Sequence, residues 1–439
     1  MSDVVIRFGG SHIDKQTSVQ NLKSYLKQDK DRNFVVVSAI PKLLEYIDLK
    51  LTHVFQHELV ENELYAEIEL FYTSASGQII SEAYKKLAKQ FISLLEGIGL
   101  IGDYSNALKD QVLNFAEKLS VEILRAKWHE AHVLQPNEIG LLASNDFGNA
   151  SFISINKGNV ANLGNSIYLI PGTFGITENN KEARAGKTAA DYTAAFLTKE
   201  LGAKELKLWG LDQDFLRADP EIIDNLPVIQ RLTYAEASEL AYFEHYSFHP
   251  RTVEPLEHEH IPIKVIDSDL ENTAVKTVIN TETYVEDQIV KSVASTEDIS
   301  LLKLDGPGVG LKPGILARVT SILNESGINI KSVITSQTAI NFILSKRNGE
   351  KALKLTTQLG FSAVTDISLL NDVALIGIIG HGMQKAYGVS AKIFTAVANN
   401  QINVLLSGSG ASDLVSYLVV HKSDKEKGVR EIYNAFFKQ

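Results

Sequence analysis

The residues best suited to chemistry begin at the seventh position. Val4-Val5-Ile6 leads through Arg7 and Phe8 into Gly9-Gly10-Ser11. Glycines at a strand end let the backbone approach a phosphate, their N–H groups form a cradle, and a following helix adds its positive end. Arg7, just before the turn, is placed to neutralise a phosphoryl group in transfer. Any tight turn after a strand shares this spelling, so the pattern draws its weight from other segments. Glu117 falls in a helix-period stretch and Asp191 at the start of another, where their plain readings are a solvated glutamate and an N-capping aspartate. His245, His249, His258 and His260 read as a turn and a solvated loop, and no protein-held metal is expected. The run from Gly306 to Gly314 resembles a phosphate loop but lacks the Gly-Lys-Ser/Thr ending.

The elements that must position these groups alternate. Short apolar runs at Val4–Phe8, 34–39, 166–170, 205–209 and 261–266 predict strands buried on both faces. Helix-period stretches at 62–72, 80–97 and 106–130 lie between them, and 191–199 forms a further helix. This order predicts an α/β fold, an open and mostly parallel sheet sandwiched by helices, with ligands beyond the carboxyl ends of the strands. Gly9-Gly10 sits at one such end.

The composition agrees. The chain has 439 residues, 44% hydrophobic and 22% charged, enough for two to four domains. With 43 Lys and Arg against 53 Asp and Glu, its net charge of −10 argues against a general nucleic-acid binder. It has no cysteine, which excludes disulfides and thiolate chemistry and fits a reducing, cytoplasmic location. No leader is read at the start, and no apolar run of about 18 residues suggests a membrane span.

From residue 299 the texture changes to a repeat. A strand at 299–304, an amphipathic helix at 315–323 and a strand opening at Gly327-Ile328-Asn329-Ile330 recur as 373–379, 389–397 and Gln401-Ile402-Asn403-Val404, offset by about 74 residues. The polar stretch before it reads as a connection with a strand or two, 274–279 being the best. The expected domains are 1–270, a connection at 271–298, and two modules at 299–370 and 371–439.

Several segments in this order resemble the aspartokinases of the amino-acid kinase superfamily, whose layout is a kinase domain followed by two ferredoxin-like α+β ACT modules. They are Arg7-Phe8-Gly9-Gly10-Ser11, Val35-Val36-Val37-Ser38-Ala39, Glu117 with Ser120, Pro171-Gly172-Thr173-Phe174-Gly175, the block Gly186-Lys187-Thr188-Ala189-Ala190-Asp191, Ala218-Asp219-Pro220 and His249-Pro250-Arg251-Thr252. The resemblance implies ATP-dependent phosphorylation of the β-carboxylate of L-aspartate, the first step toward lysine, threonine and methionine. Arg7, Lys187 and Asp191 would carry the catalysis, and Ser38, Glu117, Lys187 and Asp191 would hold aspartate. Arg7, Gly9, Gly10, Ser11, Asp212 and Asp219 would hold ATP, which brings its Mg²⁺.

In the ACT modules, Pro313, Gly314, Ile315 and Leu316 on one side and Thr335, Ser336 and Gln337 on the other would hold an amino-acid effector, lysine or threonine. The second side is expected from the strand edge of a neighbouring module. A homodimer or higher oligomer through these modules is implied.

The chain departs from the family where chemistry is done. Arg7 replaces a lysine, exchanging a compact ammonium for a planar fork. Lys187 replaces an arginine, leaving a point charge where a bidentate clamp is expected. Gly210-Leu211-Asp212-Gln213-Asp214 replaces Thr-Asp-Val-Asp-Gly, Glu221 replaces an arginine, and Tyr246 replaces a lysine. An alternative follows from these changes: a catalytically impaired paralogue acting as an amino-acid sensor or regulatory partner.

Overall fold

The structure is a computed structural model that describes residues 3–27, 32–55, 61–186, 188–243, 248–268, 274–284, 289–409 and 412–438. They fall into two compact units, one drawn from 1–214, 230–241 and 246–282, the other from 215–229, 242–245 and 283–439.

The first unit is built on an eight-stranded sheet. Its order is Arg231–Thr233, Val275–Asn280, Ile263–Ile266, Leu206–Trp209, Val4–Phe8, Asn33–Val37, Ile167–Pro171 and His132–Val133. All neighbours are parallel except Ile263–Ile266 with Val275–Asn280. The five strands expected from apolar runs are all present, with ends shifted by a residue or two. Alternation then assigns the faces. Ile6, Phe8, Val35 and Val37 share one core with the helices Gln16–Lys27, Pro41–His53, Glu61–Ser76, Glu82–Ile101 and Phe115–Lys127. The helix Ala190–Glu200 packs against Val4–Phe8 and Asn33–Val37.

The helical stretch at 106–130 proves to be two helices, Asn106–Leu113 and Phe115–Lys127. They meet at Asn114, whose side chain is drawn to a second, four-stranded sheet of Phe152–Ser154, Leu142–Ala143, Phe174–Ile176 and Glu182–Arg184. Local chemistry marks other boundaries. Ser81 caps Glu82–Ile101 by accepting from Tyr84 N, and Gly102 ends that helix at φ 78°. Thr233 and Glu236 form a reciprocal capping box at Tyr234–Ala241.

The second unit contains the repeat as two four-stranded antiparallel sheets with helices, the ferredoxin-like α+β arrangement. The first sheet runs Ile330–Thr335, Ala339–Leu344, Ser300–Asp305, Asp366–Leu370. The second runs Ser292–Thr296, Val373–Ile379, Val415–His421, Val404–Gly408. Its outermost strand Ser292–Thr296 therefore comes from the stretch read as a connection, and the first module is inserted between that strand and the rest of its sheet. Both helices that follow the first strands start after a left-handed glycine, Gly314 at φ 92° and Gly388 at φ 83°. Among the described residues no helix is long and apolar enough to cross a membrane.

Candidate functional site

Four parallel strands end level at the carboxyl edge of the large sheet. Gly9 N donates to Trp209 O, Ser38 N to Phe8 O and Gly172 N to Val37 O, each at 3.0 Å. These strand ends are crowded. A Cβ on Gly9 would lie 2.0 Å from Gly210 O, and one on Gly10 would lie 1.8 Å from Ala39 O. The diglycine is thus demanded by the convergence of three turns, whatever ligand they also serve. Ser11 Oγ donates to Asp212 Oδ1, tying the turn after the first strand to the turn after Leu206–Trp209.

Alternation puts Arg7 opposite Ile6 and Phe8, on the face covered by Ala190–Glu200. Asp191 lies in that helix's first turn, and the two meet: Arg7 Nε is 2.5 Å from Asp191 Oδ1, with both side chains buried. This is a charge contact without hydrogen-bond alignment, since neither atom has a hydrogen-bond partner among the described residues. Arg7 Nη1 also donates to Gly210 O at 3.0 Å, and Asp191 Oδ2 accepts from His249 N at 3.2 Å. Burial pushes the Asp191 carboxyl above the usual carboxylate range, with the Arg7 cation opposing the shift. Burial, then the neighbouring Arg251 cation, lowers His249 to about 4, so its ring is neutral at physiological pH. His249 accepts from Arg251 N through Nδ1, and the Arg251 guanidinium lies over the Tyr192 ring, 4.4 Å from its centroid.

Glu117 is buried too, but not alone. Arg184 Nη1 and Nη2 donate to its two oxygens at 2.9 and 3.0 Å, a bidentate pair. Arg184 Nη1 also donates to Asn114 Oδ1 at 3.0 Å, and its backbone N donates to Asp110 Oδ2 at 2.8 Å. Asp110, Asn114 and Glu117, spread over the two helices and their join, thus receive the strand Glu182–Arg184. Sequence reasoning missed Arg184. The signal was present in the period-two pair Glu182 and Arg184 opposite the helical spacing of Asp110, Asn114 and Glu117. Ser120, one turn beyond Glu117, donates to Ala116 O and accepts from Ile40 N, anchoring the start of Pro41–His53.

The structure thus brings together Arg7, Gly9, Gly10, Ser11, Ser38, Asp191 and Asp212. Lys187 lies outside the described residues, as does Tyr246. Asp219 belongs to the second unit, where Oδ2 accepts from Ser295 Oγ at 3.1 Å and Oδ1 from Glu221 N at 3.0 Å. In the first ACT module, Gly310 N donates to Gln337 O at 3.0 Å, and a Cβ on Gly310 would lie 2.4 Å from Ser336 O. The turn that leads to Pro313 and Gly314 thus touches Ser336 and Gln337 of its own module at Gly310. Leu316, Thr335, Ser336 and Gln337 are exposed, and Ile315 is buried.

Comparison with known proteins places these features. Residues 3–267 match the model of the amino acid kinase family, and 294–355 and 376–436 each match an ACT domain model. Lysine-sensitive aspartokinase 3 of Escherichia coli K12 is 24% identical, with both chains covered over their full length. A bifunctional aspartokinase/homoserine dehydrogenase of Haemophilus influenzae is 25% identical over 99% of this chain, which spans 56% of that relative's length. The crystal structure of E. coli aspartokinase III in complex with aspartate and ADP superposes with a TM-score of 0.82 at 22% identity, covering 100% of both chains. With the family model matching well over half of its residues, and with the strand-end glycines, sheet order and paired ACT modules in place, this chain belongs to the amino acid kinase family.

Proposed function

We propose that the chain is an aspartokinase: it transfers the γ-phosphoryl group of ATP to the β-carboxylate of L-aspartate, under amino-acid feedback through its ACT modules. The observation that carries this reading is the carboxyl edge where Gly9-Gly10, Ser38, Gly172 and the buried Arg7–Asp191 pair converge. The edge suits a polyphosphate. The buried Thr173 hydroxyl at the next strand end has no partner among the described residues. Arg7, Gly9, Gly10 and Ser11 hold the nucleotide in this reading, Asp212 orients Ser11, and Asp219 is a nucleotide contact proposed on resemblance alone. Mg²⁺, carried by the nucleotide, would neutralise phosphate charge and polarise the transferred group.

The transfer asks for alignment and electrostatic stabilisation, with little covalent work from the protein. Arg7 supplies positive charge beside the diglycine, and Asp191 holds its guanidinium in place and takes part in holding aspartate. Ser38 and Lys187 receive the carboxylates of aspartate. Glu117 receives its ammonium, the role that suits an anion. The E. coli relative crystallised with aspartate and ADP, and the name of the lysine-sensitive relative points to lysine as the effector. Pro313, Gly314, Ile315, Leu316, Thr335, Ser336 and Gln337 form its proposed seat, in a protein that acts as a homodimer or larger assembly in the cytoplasm.

The purified protein with L-aspartate, MgATP and hydroxylamine should yield aspartyl hydroxamate. Absence of product, with no stabilisation by nucleotide, removes the kinase reading. A second reading then takes its place, an amino-acid sensor that has lost catalysis. It is favoured by one observation: Arg7 and Glu117 are already engaged by Asp191 and Arg184.

A further inference from the structure

Arg184 has no part in the function proposed above, yet it holds both oxygens of a carboxylate that is needed there. An amino acid enters with an ammonium group, and a buried ammonium requires an anion. The proposed substrate contacts include two carboxylates. Asp191 has one oxygen against Arg7 Nε and the other on His249 N. Glu117 has both oxygens on Arg184, at 2.9 and 3.0 Å, and its side chain is 1% exposed. An arginine cannot release its charge by losing a proton. Asn114 Oδ1 and the strand anchorage through Asp110 keep it in place.

We infer that Arg184 is a specificity-determining residue, a resident counter-ion that competes with the ammonium group of the acceptor amino acid for Glu117. The inference rests on the reading that Glu117 receives that ammonium. The guanidinium fills one acceptor position on each Glu117 oxygen and already balances its charge, so an arriving ammonium must share or displace it. A dicarboxylate of the same length without an ammonium, such as succinate, faces no such competition. Arg184 therefore narrows the preference for L-aspartate over succinate, and its effect falls on binding more than on turnover.

Calorimetric titration of the full chain with L-aspartate and with succinate tests this. In Arg184→Gln, L-aspartate should bind at least tenfold tighter than in the parent protein, while succinate changes less than threefold. Unchanged, weaker or undetectable aspartate binding by the folded variant overturns the inference, as does equal tightening of both ligands. Arg184→Gln leaves Glu117 buried without its counter-ion, so the double variant Glu117→Gln/Arg184→Gln, with a neutral pair, covers the case where the single variant does not fold. It should bind the two ligands within threefold of each other, and a retained tenfold preference for aspartate overturns the assignment. The kinase reading is judged separately by hydroxamate formation. Product from the parent protein with no gain in Arg184→Gln removes Arg184 alone. The expected gain without product removes the kinase reading alone.

Discussion

Arginine at position 7 reaches two partners that point in different directions, the Asp191 carboxylate through Nε and the Gly210 carbonyl through Nη1. A lysine ammonium in the same burial has three donors on one atom and no fork to span them. An arginine at this position thus has a structural reason: it ties a strand end, a helix start and a neighbouring turn. His249 gives the site a titration signature. Its ring is held neutral in the fold with a value near 4, against 6.5 for an ordinary histidine, so unfolding takes up a proton between those values. Stability should be complete above about pH 6.5 and fall as the pH drops toward 4, by roughly 3 kcal/mol from this group. Urea unfolding of the parent and of His249→Asn at pH 7 and pH 4.5 checks it. The variant should lose less stability between the two, and an equal loss in both would remove His249 as the source.

At the scale of elements, glycines of identical composition have opposite meanings. Gly10 packs against the Ala39 carbonyl at the meeting of two strands, whereas Gly97 lies inside the helix Glu82–Ile101 with open space where a Cβ would stand. Gly10→Ala must push two strand ends apart and should cost about 3 kcal/mol or more, at the top of the range for overpacking. Gly97→Ala should stabilise the protein by about 0.5–1 kcal/mol, because helical alanine loses less backbone freedom on folding. Thermal melts of the two variants should move in opposite directions, and a harmless Gly10→Ala would contradict the close convergence of the strand ends. Elements were also where the sequence was most legible. Unbroken β-branched runs marked the strands because both faces are buried, and the 3.6 period marked the helices. The join at Asn114 escaped notice because its cause, a strand some seventy residues later, leaves no local trace.

Across the whole molecule, an N-terminal kinase-type unit and two ACT modules make amino-acid feedback a measurable expectation. Lysine at a hundred times its dissociation constant should stabilise the protein by about 2.7 kcal/mol, read as a rise in melting temperature. If neither lysine nor threonine moves the melt, the proposed effector seat at Pro313 to Leu316 is wrong. The sequence by itself determined the alternating α/β order, the repeat of about 74 residues, the glycines at the first strand end and the absence of thiol chemistry. These follow from local periodicity and composition, which the chain carries wherever it goes. Only the tertiary structure decided that Arg7 meets Asp191, that Arg184 closes on Glu117, and that Ser292–Thr296 completes the second ACT sheet past an inserted module. Those pairings join residues far apart in the chain. They are chosen by which buried charge and which open strand edge finds a partner when the core closes, a competition that no single segment records.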